Sequence, residues 1–96
     1  MIALSIRQPF AEQIFTEQKK TEYRSRPAKI RGRIYIYACK GKSEFLTGVI
    51  IGIVELYDCK KGEDGFEWLL RNPQRIPLPF KPENHPQPAW FNPFKS

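Results

Sequence analysis

The stretch VIIGIVELYDC, residues 49–59, is the strongest strand pattern in the chain. Its first half is apolar at consecutive positions, which is typical of a central strand that is buried on both faces of a sheet. Gly52 lies inside this run, and a glycine within a strand indicates a β-bulge or a sharp bend of a barrel. The stretch therefore predicts a central strand with a bulge or bend at Gly52.

Three shorter strands and one helix are predicted before this strand. Residues 2–7, 20–25 and 31–40 have the composition and alternation of strands. Residues 8–18 carry apolar side chains at helical spacing, with a proline suited to the first turn. Because Gln8 is a poor N-cap, we expect the first N–H groups of this helix to face water or an anionic ligand.

The second half of the chain predicts another helix and a tail that wraps the domain. Residues 62–73, GEDGFEWLLRNP, indicate a short helix that Pro73 ends. From Ile76 onward six prolines exclude a regular helix, while four aromatic residues argue against disorder. We expect a closing strand near AWF, residues 89–91. The pattern predicts a single α+β domain over residues 1–96, in which a partly closed barrel of about five to six strands, flanked by one or two helices, removes most sheet edges.

The composition favours a globular protein of the cytoplasm. Of 96 residues 41% are hydrophobic, and the longest apolar run is far shorter than the ~20 residues that span a bilayer. The N-terminal residues do not have the pattern of a signal peptide, and two cysteines without ligand spacing are expected to be free thiols. With a single histidine, His85, we expect no metal site and no cofactor.

The net charge of +6 is concentrated in the first half of the chain. Residues 1–48 hold ten Lys or Arg and four Asp or Glu, whereas residues 49–96 hold six of each. Within KKTEYRSRPAKIRGR, residues 19–33, Glu22 is the one acid among seven basic residues. Such a segment predicts an acidic partner, usually a nucleic acid and less often an anionic membrane. Glu22 is either a surface acid that neutralises its neighbours or a group that does what a basic residue cannot do.

Three motifs, in this order, resemble those of the ASCH domain family, a relative of the PUA fold. The chain has LS-x-x-QPFA at residues 4–11, the signature K-x-x-E-x-R at residues 19–24 and RG-x-I-x-I-x-A at residues 31–38. The resemblance extends to about Ile76, with a looser match to PQPAWF. One departure is Glu17, which stands where the family's signature has glycine. If this position needs a positive φ, glutamate adds a modest conformational cost, and it places an acid at the mouth of the site.

The resemblance implies a small PUA-like β-barrel with a cleft between barrel and helices. It also implies RNA binding, so the expected partner is RNA, another single-stranded nucleic acid or a nucleoside, and not a membrane; we expect a monomer. The residues expected to bind nucleic acid are Lys19, Lys20, Glu22, Arg24, Arg26, Lys29, Arg31 and Arg33. The residues expected to line the cleft are Ser5, Gln8, Pro9, Tyr37, Glu55 and Trp68.

Two of the cleft assignments rest on the chemistry of the side chains. Glu55 belongs to a strand whose preceding residues have a buried pattern, and a buried carboxylate without a partner is costly, so it must reach solvent, a cation or a cavity. Either Tyr37 or Trp68 could stack on a base, although each is equally suited to the core.

Two alternatives to a binding module remain open. Some members of the resembled family are hydrolases of acylated cytidine or of RNA, which implies Lys19 and Glu22 as catalytic residues. The amidohydrolases have threonine three positions after the lysine, where this chain has Glu22, and Thr21 is one position early. The tail, residues 77–94, could instead dock a partner protein, although its aromatic residues are also needed to close the core.

Overall fold

The structure is a computed structural model and describes residues 1–95. These residues form β1 (Ala3–Ile6), α1 (Phe10–Phe15), β2 (Thr21–Arg24), β3 (Gly32–Ala38), β4 (Val49–Lys61), β5 (Phe66–Phe80) and β6 (Trp90–Phe91). The six strands make one mixed sheet with the order β2-β5-β4-β3-β1-β6. The sheet curls into a half-barrel, and α1 packs against β3 and β5.

β4 lies at the centre of the sheet, as its apolar sequence predicts, and pairs with β3 on one side and β5 on the other. The register of β4 against β5 shifts between Ile50 and Gly52. A side chain at Gly52 would overlap the ring of Phe15 and the main-chain oxygen of Gln74. Gly52 therefore allows α1 and β5 to approach β4 closely, and the predicted bulge is confirmed.

β1 and β3 lie side by side and parallel, from the pair Ala3 and Tyr35 to the pair Ile6 and Ala38. The chain crosses between them through α1 and β2, so the carboxyl ends of both strands meet at the same end of the sheet. On its other side β1 pairs antiparallel with β6, with Ala3 opposite Phe91. Residues that follow Ile6 and Ala38 therefore lie close together.

The predicted second helix over residues 62–73 is wrong, because most of this segment belongs to β5. Trp68 and Leu70 are buried, and the residue between them is less so, which is the two-residue period of a strand. β5 pairs with β2 over residues 66–69 and with β4 along most of its length. A short apolar run fits a helix and a strand equally well, and here the two neighbouring strands decide between them.

The other predicted elements are present. β1, β2 and β3 lie within their predicted segments, α1 occupies the middle of residues 8–18, and β6 lies within residues 89–91. The helix begins differently from the expectation, because Oε1 of Gln8 accepts a hydrogen bond from the main-chain N–H of Glu12 at 2.9 Å. With the N–H groups of Ala11 and Gln13, which donate to the main-chain oxygens of Arg7 and Pro9, three N–H groups of the first turn are bonded within the chain.

Apolar side chains cover both faces of the sheet. Adjacent residues of β3 point to opposite faces: Ile36 belongs to the larger hydrophobic cluster, which includes residues of α1, and Tyr37 belongs to a smaller one with Phe91. In the tail, Phe91 and Pro93 are buried. The tail therefore packs into the core as expected, and these two residues are occupied inside the domain.

Candidate nucleic-acid-binding cleft

The two edges of the half-barrel approach each other where β2 faces β1 and β6. Nη2 of Arg24 on β2 donates a hydrogen bond to the main-chain oxygen of Ser5 on β1 at 3.1 Å. The rings of Trp68 on β5 and Trp90 on β6 stack with their centroids 5.6 Å apart and their planes 14° apart. β2 and β6 are the outermost strands of the sheet. Side chains thus join the two edges, and a cleft of about 590 Å³ lies beside this contact.

Three parts of the chain line the cleft. The first is β2, the second is formed by β1 and β3 with the residues that follow them, and the third is the segment of residues 85–89 that leads into β6. The cleft thus lies between elements from the beginning, the middle and the end of the domain. Its lining residues are Ser5, Ile6, Arg7, Phe10, Glu22, Arg24, Tyr37, Cys39, Lys40 and residues 85–89.

Glu22 is the one charged residue that is buried among residues 1–95, with 9% of its surface exposed. Nζ of Lys19 lies 3.2 Å from its Oε1, and Nε of Arg24 donates to its Oε2 at 2.6 Å. A carboxylate offers about four lone-pair positions. Positions therefore remain from which Glu22 can accept hydrogen bonds from a molecule in the cleft. The structure brings the three signature residues together, with the acid between two cations.

Arg24 has an orientation that several contacts fix. Its Nε binds Glu22, its Nη2 binds the oxygen of Ser5, and its guanidinium carbon lies 5.5 Å from the centroid of the Trp68 ring. These hydrogen bonds use two of the five N–H groups that an arginine carries. The other N–H groups of Arg24 can donate to a phosphate or a carbonyl oxygen in the cleft.

Lys19 lies beside Glu22, outside the lining of the cleft. Its Nζ is 5.6 Å from the ring centroid of Phe10 and 5.6 Å from that of Tyr23. Cation–π contacts with the two rings add to the ion pair in holding the ammonium group. In this position Lys19 orients Glu22, and its effect on a molecule in the cleft is transmitted by Glu22.

The turn after α1 places Lys19 at this position. The main-chain N–H of Glu17 donates to the oxygen of Ile14 at 3.3 Å, and that of Lys19 donates to the oxygen of Gln13 at 3.0 Å. This end resembles a Schellman motif, in which the residue after the helix takes a left-handed conformation. Glu17 has a φ of 61°. The position of the signature glycine therefore has a positive φ, and the condition for a conformational cost of glutamate is met.

The side chain of Glu17 does not lie at the mouth of the cleft, in contrast to the expectation. Glu17 lines a separate depression together with Lys20 and Arg71. Of the signature residues, Lys19 also lines this depression, whereas Glu22 and Arg24 line the cleft. The acid at this position is therefore not part of the cleft.

Two basic residues of the cleft, Arg7 and Lys40, were not found by the sequence analysis. Arg7 follows β1 and Lys40 follows β3 closely, and the parallel pairing of these strands brings both ends together. The main-chain N–H of Cys39 donates to the oxygen of Ile6 at 3.0 Å. Both cationic side chains are exposed. The sequence does place a cation soon after each strand, but only the parallel pairing of the strands brings the two cations next to each other.

Ser5 attaches the segment of residues 85–89 to β1. Its main-chain N–H donates to the oxygen of Ala89 at 2.8 Å, and its Oγ donates to the oxygen of Gln87 at 2.8 Å. The attachment places His85 in the lining of the cleft. His85 was not among the residues expected in the cleft, because nothing local in ENHPQP indicates that the segment returns to β1.

Tyr37 and Cys39 line the cleft at the end of β3. The ring of Tyr37 packs edge-to-face on Phe91 with centroids 5.4 Å apart, and burial raises the pKa of its hydroxyl. Burial also raises the pKa of the Cys39 thiol, against the opposing effect of nearby arginines. Cys39 is therefore a neutral thiol at neutral pH, and the ring of Tyr37 forms part of the wall of the cleft.

Glu55 lies outside the cleft. It pairs across strands with Arg71, whose Nε and Nη2 donate to its two oxygens at 3.0 and 3.2 Å, and Asn72 donates to it at 3.2 Å. The hydrogen bond from Arg71 lowers the pKa of the Glu55 carboxyl. Glu55 was expected to reach solvent, a cation or a cavity, and in the structure it is paired with a cation at the surface of the sheet.

Gln8, Pro9 and Trp68 were expected in the cleft and are not among its lining residues. Gln8 is engaged at both ends of its side chain, because Oε1 bonds the first turn of α1 and Nε2 donates to the oxygen of Leu46 at 2.8 Å. Pro9 stands directly before α1. Trp68 belongs to the larger hydrophobic cluster, and its Nε1 donates to the oxygen of Arg26 at 2.9 Å.

The basic segment of residues 19–33 does not form one continuous strip. Lys20 lies at the depression that Glu17 lines. Arg31 donates to main-chain oxygens and approaches Asp58 at 4.0 Å, and Arg33 stands opposite Glu55 in the sheet. Two further cations of the segment, Arg26 and Lys29, line a second cavity.

A comparison with models of known protein families identifies the family of this chain. The model of the ASCH domain matches residues 4–92 of the chain. The chain belongs to the ASCH domain family. The match includes all strands of the half-barrel except the first residue of β1, and both β2 and the segment of residues 85–89 lie within it.

Two solved structures resemble this ASCH domain. ASCH from Zymomonas mobilis is 22% identical with a TM-score of 0.67, and the S128A mutant of ZmASCH from Zymomonas mobilis is 21% identical with a TM-score of 0.65. Each comparison covers 83% of this chain and 72% of the other. At these identities the likeness concerns the fold alone. Among curated proteins, none matches the chain.

The helix content of this ASCH domain is small. Across residues 1–95, no helix has the length and apolar composition needed to cross a membrane.

Proposed function

We propose that this ASCH domain binds single-stranded RNA, or a nucleotide, in the cleft between β2 and residues 85–89. The observation that carries the proposal is the position of Glu22, a buried carboxylate held between Lys19 and Arg24 in the wall of a basic cleft. Membership of a family that is linked to RNA binding supports it.

The cations of the cleft suit the phosphates of such a ligand. Arg7, Arg24 and Lys40 line it, against the single acid Glu22. Contacts to phosphate supply most of the affinity of proteins for nucleic acids, whereas contacts to bases supply the specificity. The volume of about 590 Å³ is in the range of sites that hold a molecule of the size of one nucleotide.

Glu22 is suited to select the base. A carboxylate accepts hydrogen bonds from an exocyclic amino group, such as that of cytosine, which lysine and arginine cannot do. Because Lys19 and Arg24 each hold one oxygen of Glu22, its remaining acceptor positions have fixed directions. Glu22 is therefore proposed as the group that recognises an amino-bearing base, and the cations as the groups that hold the backbone.

A single strand fits this cleft better than a duplex does. A base can reach Glu22, which is 9% exposed, only if it is turned out of a stack. Sequence-specific recognition of RNA generally uses such unstacked bases.

The salt dependence of binding tests the proposal. Four exposed cations adjoin the cleft and the second cavity next to it: Arg7, Arg26, Lys29 and Lys40. If these four neutralise phosphates, the log–log slope of affinity against salt is about −3 for a single strand. The measurement is the fluorescence anisotropy of a labelled C-rich oligoribonucleotide at several salt concentrations. The corresponding duplex should bind more weakly.

The variant Lys40→Glu should lower the affinity and flatten the slope, and Lys81→Glu is its matched control, since Lys81 is exposed and lines neither cavity. Binding that is absent, or that does not depend on salt, would overturn the proposal.

A hydrolase of a modified nucleoside or of RNA is the second candidate. The observation that favours it is the presence of His85 in the same cleft as Glu22, with Lys19 in contact with Glu22. Catalysis by Lys19 requires that its ammonium group give up a proton while it is paired with Glu22. Thr21 is adjacent to Glu22 in β2, so its side chain points to the other face.

Acylated cytidines and RNA are the substrates that test this candidate. If the unmodified domain turns over one of these substrates and Lys19→Ala abolishes this turnover, the domain is a hydrolase. Binding without turnover would leave the binding module.

A further inference from the structure

We propose that the cavity next to the cleft binds the base of a second nucleotide, so that the ligand is at least a dinucleotide and not a free nucleoside. This inference rests on the proposed function, since it assumes that the cleft holds the first nucleotide. The cavity, called here the tryptophan pocket, has a volume of about 460 Å³ and lies between Trp90 and the connection from β2 to β3.

Apolar side chains form a large part of the walls of the tryptophan pocket. Trp90, Pro27 and Ile30 line it, and Trp90 remains partly exposed. A base has a π-face and an apolar surface, and it stacks on such walls whatever its hydrogen-bonding groups are.

The aromatic wall is held rigidly in place. Trp90 stacks on Trp68 with centroids 5.6 Å apart, and Nε1 of Trp68 donates to the oxygen of Arg26 at 2.9 Å. The guanidinium carbon of Arg24 lies 5.5 Å from the ring centroid of Trp68. Since both rings are ordered before a ligand arrives, stacking on Trp90 does not require the aromatic wall to be ordered first.

The rim of the pocket carries positive charge that the domain does not neutralise. Arg26 and Lys29 line the pocket and are exposed. No ion pair among residues 1–95 includes either of them. An apolar slot with two unpaired cations at its rim suits a base that is joined to phosphate. A purely apolar peptide side chain would leave both cations without a partner.

The two cavities adjoin each other at Arg24 and Ala89, which line both. The side chain of Arg24 still has N–H groups to donate after its bonds to Glu22 and Ser5. A chain with one base at Glu22 and the next base on Trp90 has its connecting phosphate near Arg24. A nucleoside has no such phosphate, and a mononucleotide has no second base.

Tryptophan fluorescence and a comparison of two ligands test this inference. The ligands are cytidine 5′-monophosphate and the dinucleotide cytidylyl-cytidine. Since stacking on one aromatic ring strengthens binding at least about five-fold, the dinucleotide should bind at least about five-fold more tightly. In Trp68→Phe, where Trp90 is the remaining tryptophan, the dinucleotide should quench the emission and the mononucleotide should not.

Surface variants test the same point without touching the core. Lys29→Glu should weaken the dinucleotide several-fold and the mononucleotide less than the dinucleotide, whereas Lys81→Glu should leave the ratio of the two affinities unchanged. These two variants carry the test if Trp68→Phe does not fold.

The outcomes separate the inference from the proposed function. If both ligands bind with equal affinity and Trp90 is not quenched, the tryptophan pocket is not a base site, and the proposed function stands. If neither ligand binds, and longer RNA does not bind either, both fail. Quenching of Trp90 by a proline-rich peptide, with no effect of the dinucleotide, would assign the pocket to protein binding and overturn the inference.

Discussion

The guanidinium of Arg24 donates to the main-chain oxygen of Ser5 at 3.1 Å, and this bond joins β2 to β1 across the open side of the sheet. The same side chain donates to Glu22 at 2.6 Å. One residue therefore both connects the edges of the half-barrel and orients the acid of the cleft. Stability and binding should both depend on it.

Arg24→Ala should lower the free energy of unfolding by about 2–3 kcal/mol, because hydrogen bonds to charged groups contribute about 1.5–3 kcal/mol and Glu22 is left with one cation. Urea denaturation followed by circular dichroism measures the change. The control is Arg26→Ala, an exposed cation without an ion pair in residues 1–95, for which a change within about 0.5 kcal/mol is expected. Equal effects of the two variants would contradict the role of Arg24 in closing the fold.

Glu22→Gln keeps the shape of the side chain but adds a donor, so it should weaken ligands of the cytosine type by about 1–3 kcal/mol. Binding of plain polyanions should stay level or improve, since one negative charge is removed. Isothermal titration with cytidine 5′-monophosphate and with a polyphosphate measures both effects.

Glu55→Gln is the matched control for Glu22→Gln, since it removes a strand carboxylate that is paired with an arginine outside the cleft. Glu55→Gln should leave both affinities unchanged. An unchanged ligand preference in Glu22→Gln would contradict base recognition and leave Glu22 as an acid that only neutralises the neighbouring cations.

Glu17→Gly should raise the free energy of unfolding by about 0.5–1 kcal/mol. A left-handed φ costs a residue with a Cβ about 1–2 kcal/mol, and the greater freedom of glycine in the unfolded chain offsets part of this gain. Gln18→Gly changes an exposed neighbour without a positive φ and should lower the stability by a similar amount. Thermal denaturation measures both variants. Ligand affinity should not change in Glu17→Gly, because Glu17 lines a different depression.

The acid stability of the domain should depend on Glu55. Arg71 lowers the pKa of Glu55 below its usual value of 4.5, so the folded pKa is below the unfolded one. The stability that the pair contributes is present above the unfolded pKa and is lost as the pH falls through the folded pKa. Carbon NMR of the Glu55 carboxyl should show a midpoint below 4.5, and Arg71→Gln should move it upward. An identical midpoint in both proteins would refute the effect of Arg71.

The strands could be predicted where local pattern and pairing agree. The apolar run of β4 with Gly52 indicates its central place and its bulge, and both are present. The segment of residues 62–73 could not be assigned in this way, because its apolar residues fit either period. Its strand conformation depends on hydrogen bonds to β2 and β4, which are distant in sequence.

The residues of the cleft likewise divide into those that a local motif brings together and those that strand pairing brings together. The meeting of Lys19, Glu22 and Arg24 could be expected from a motif within one turn and one strand. Arg7 and Lys40 could not, because they become neighbours through the parallel pairing of β1 and β3, and the position of His85 depends on the attachment of residues 85–89 to Ser5. Local sequence carries no information on pairings of this kind.

The pairing of β1 with β6 has a consequence for translation. A ribosome makes Ala3 before Phe91, and at roughly 5–20 residues per second the two are separated by roughly 4–18 s. Once Ala38 has been made, the nascent chain has the signature residues and both parallel strands, but until residues 85–91 follow it lacks one wall of the cleft and the strand that covers β1. A chain that stalls before residue 85 lacks this wall of the cleft, so the proposed ligand should bind only to a domain whose synthesis has passed that point.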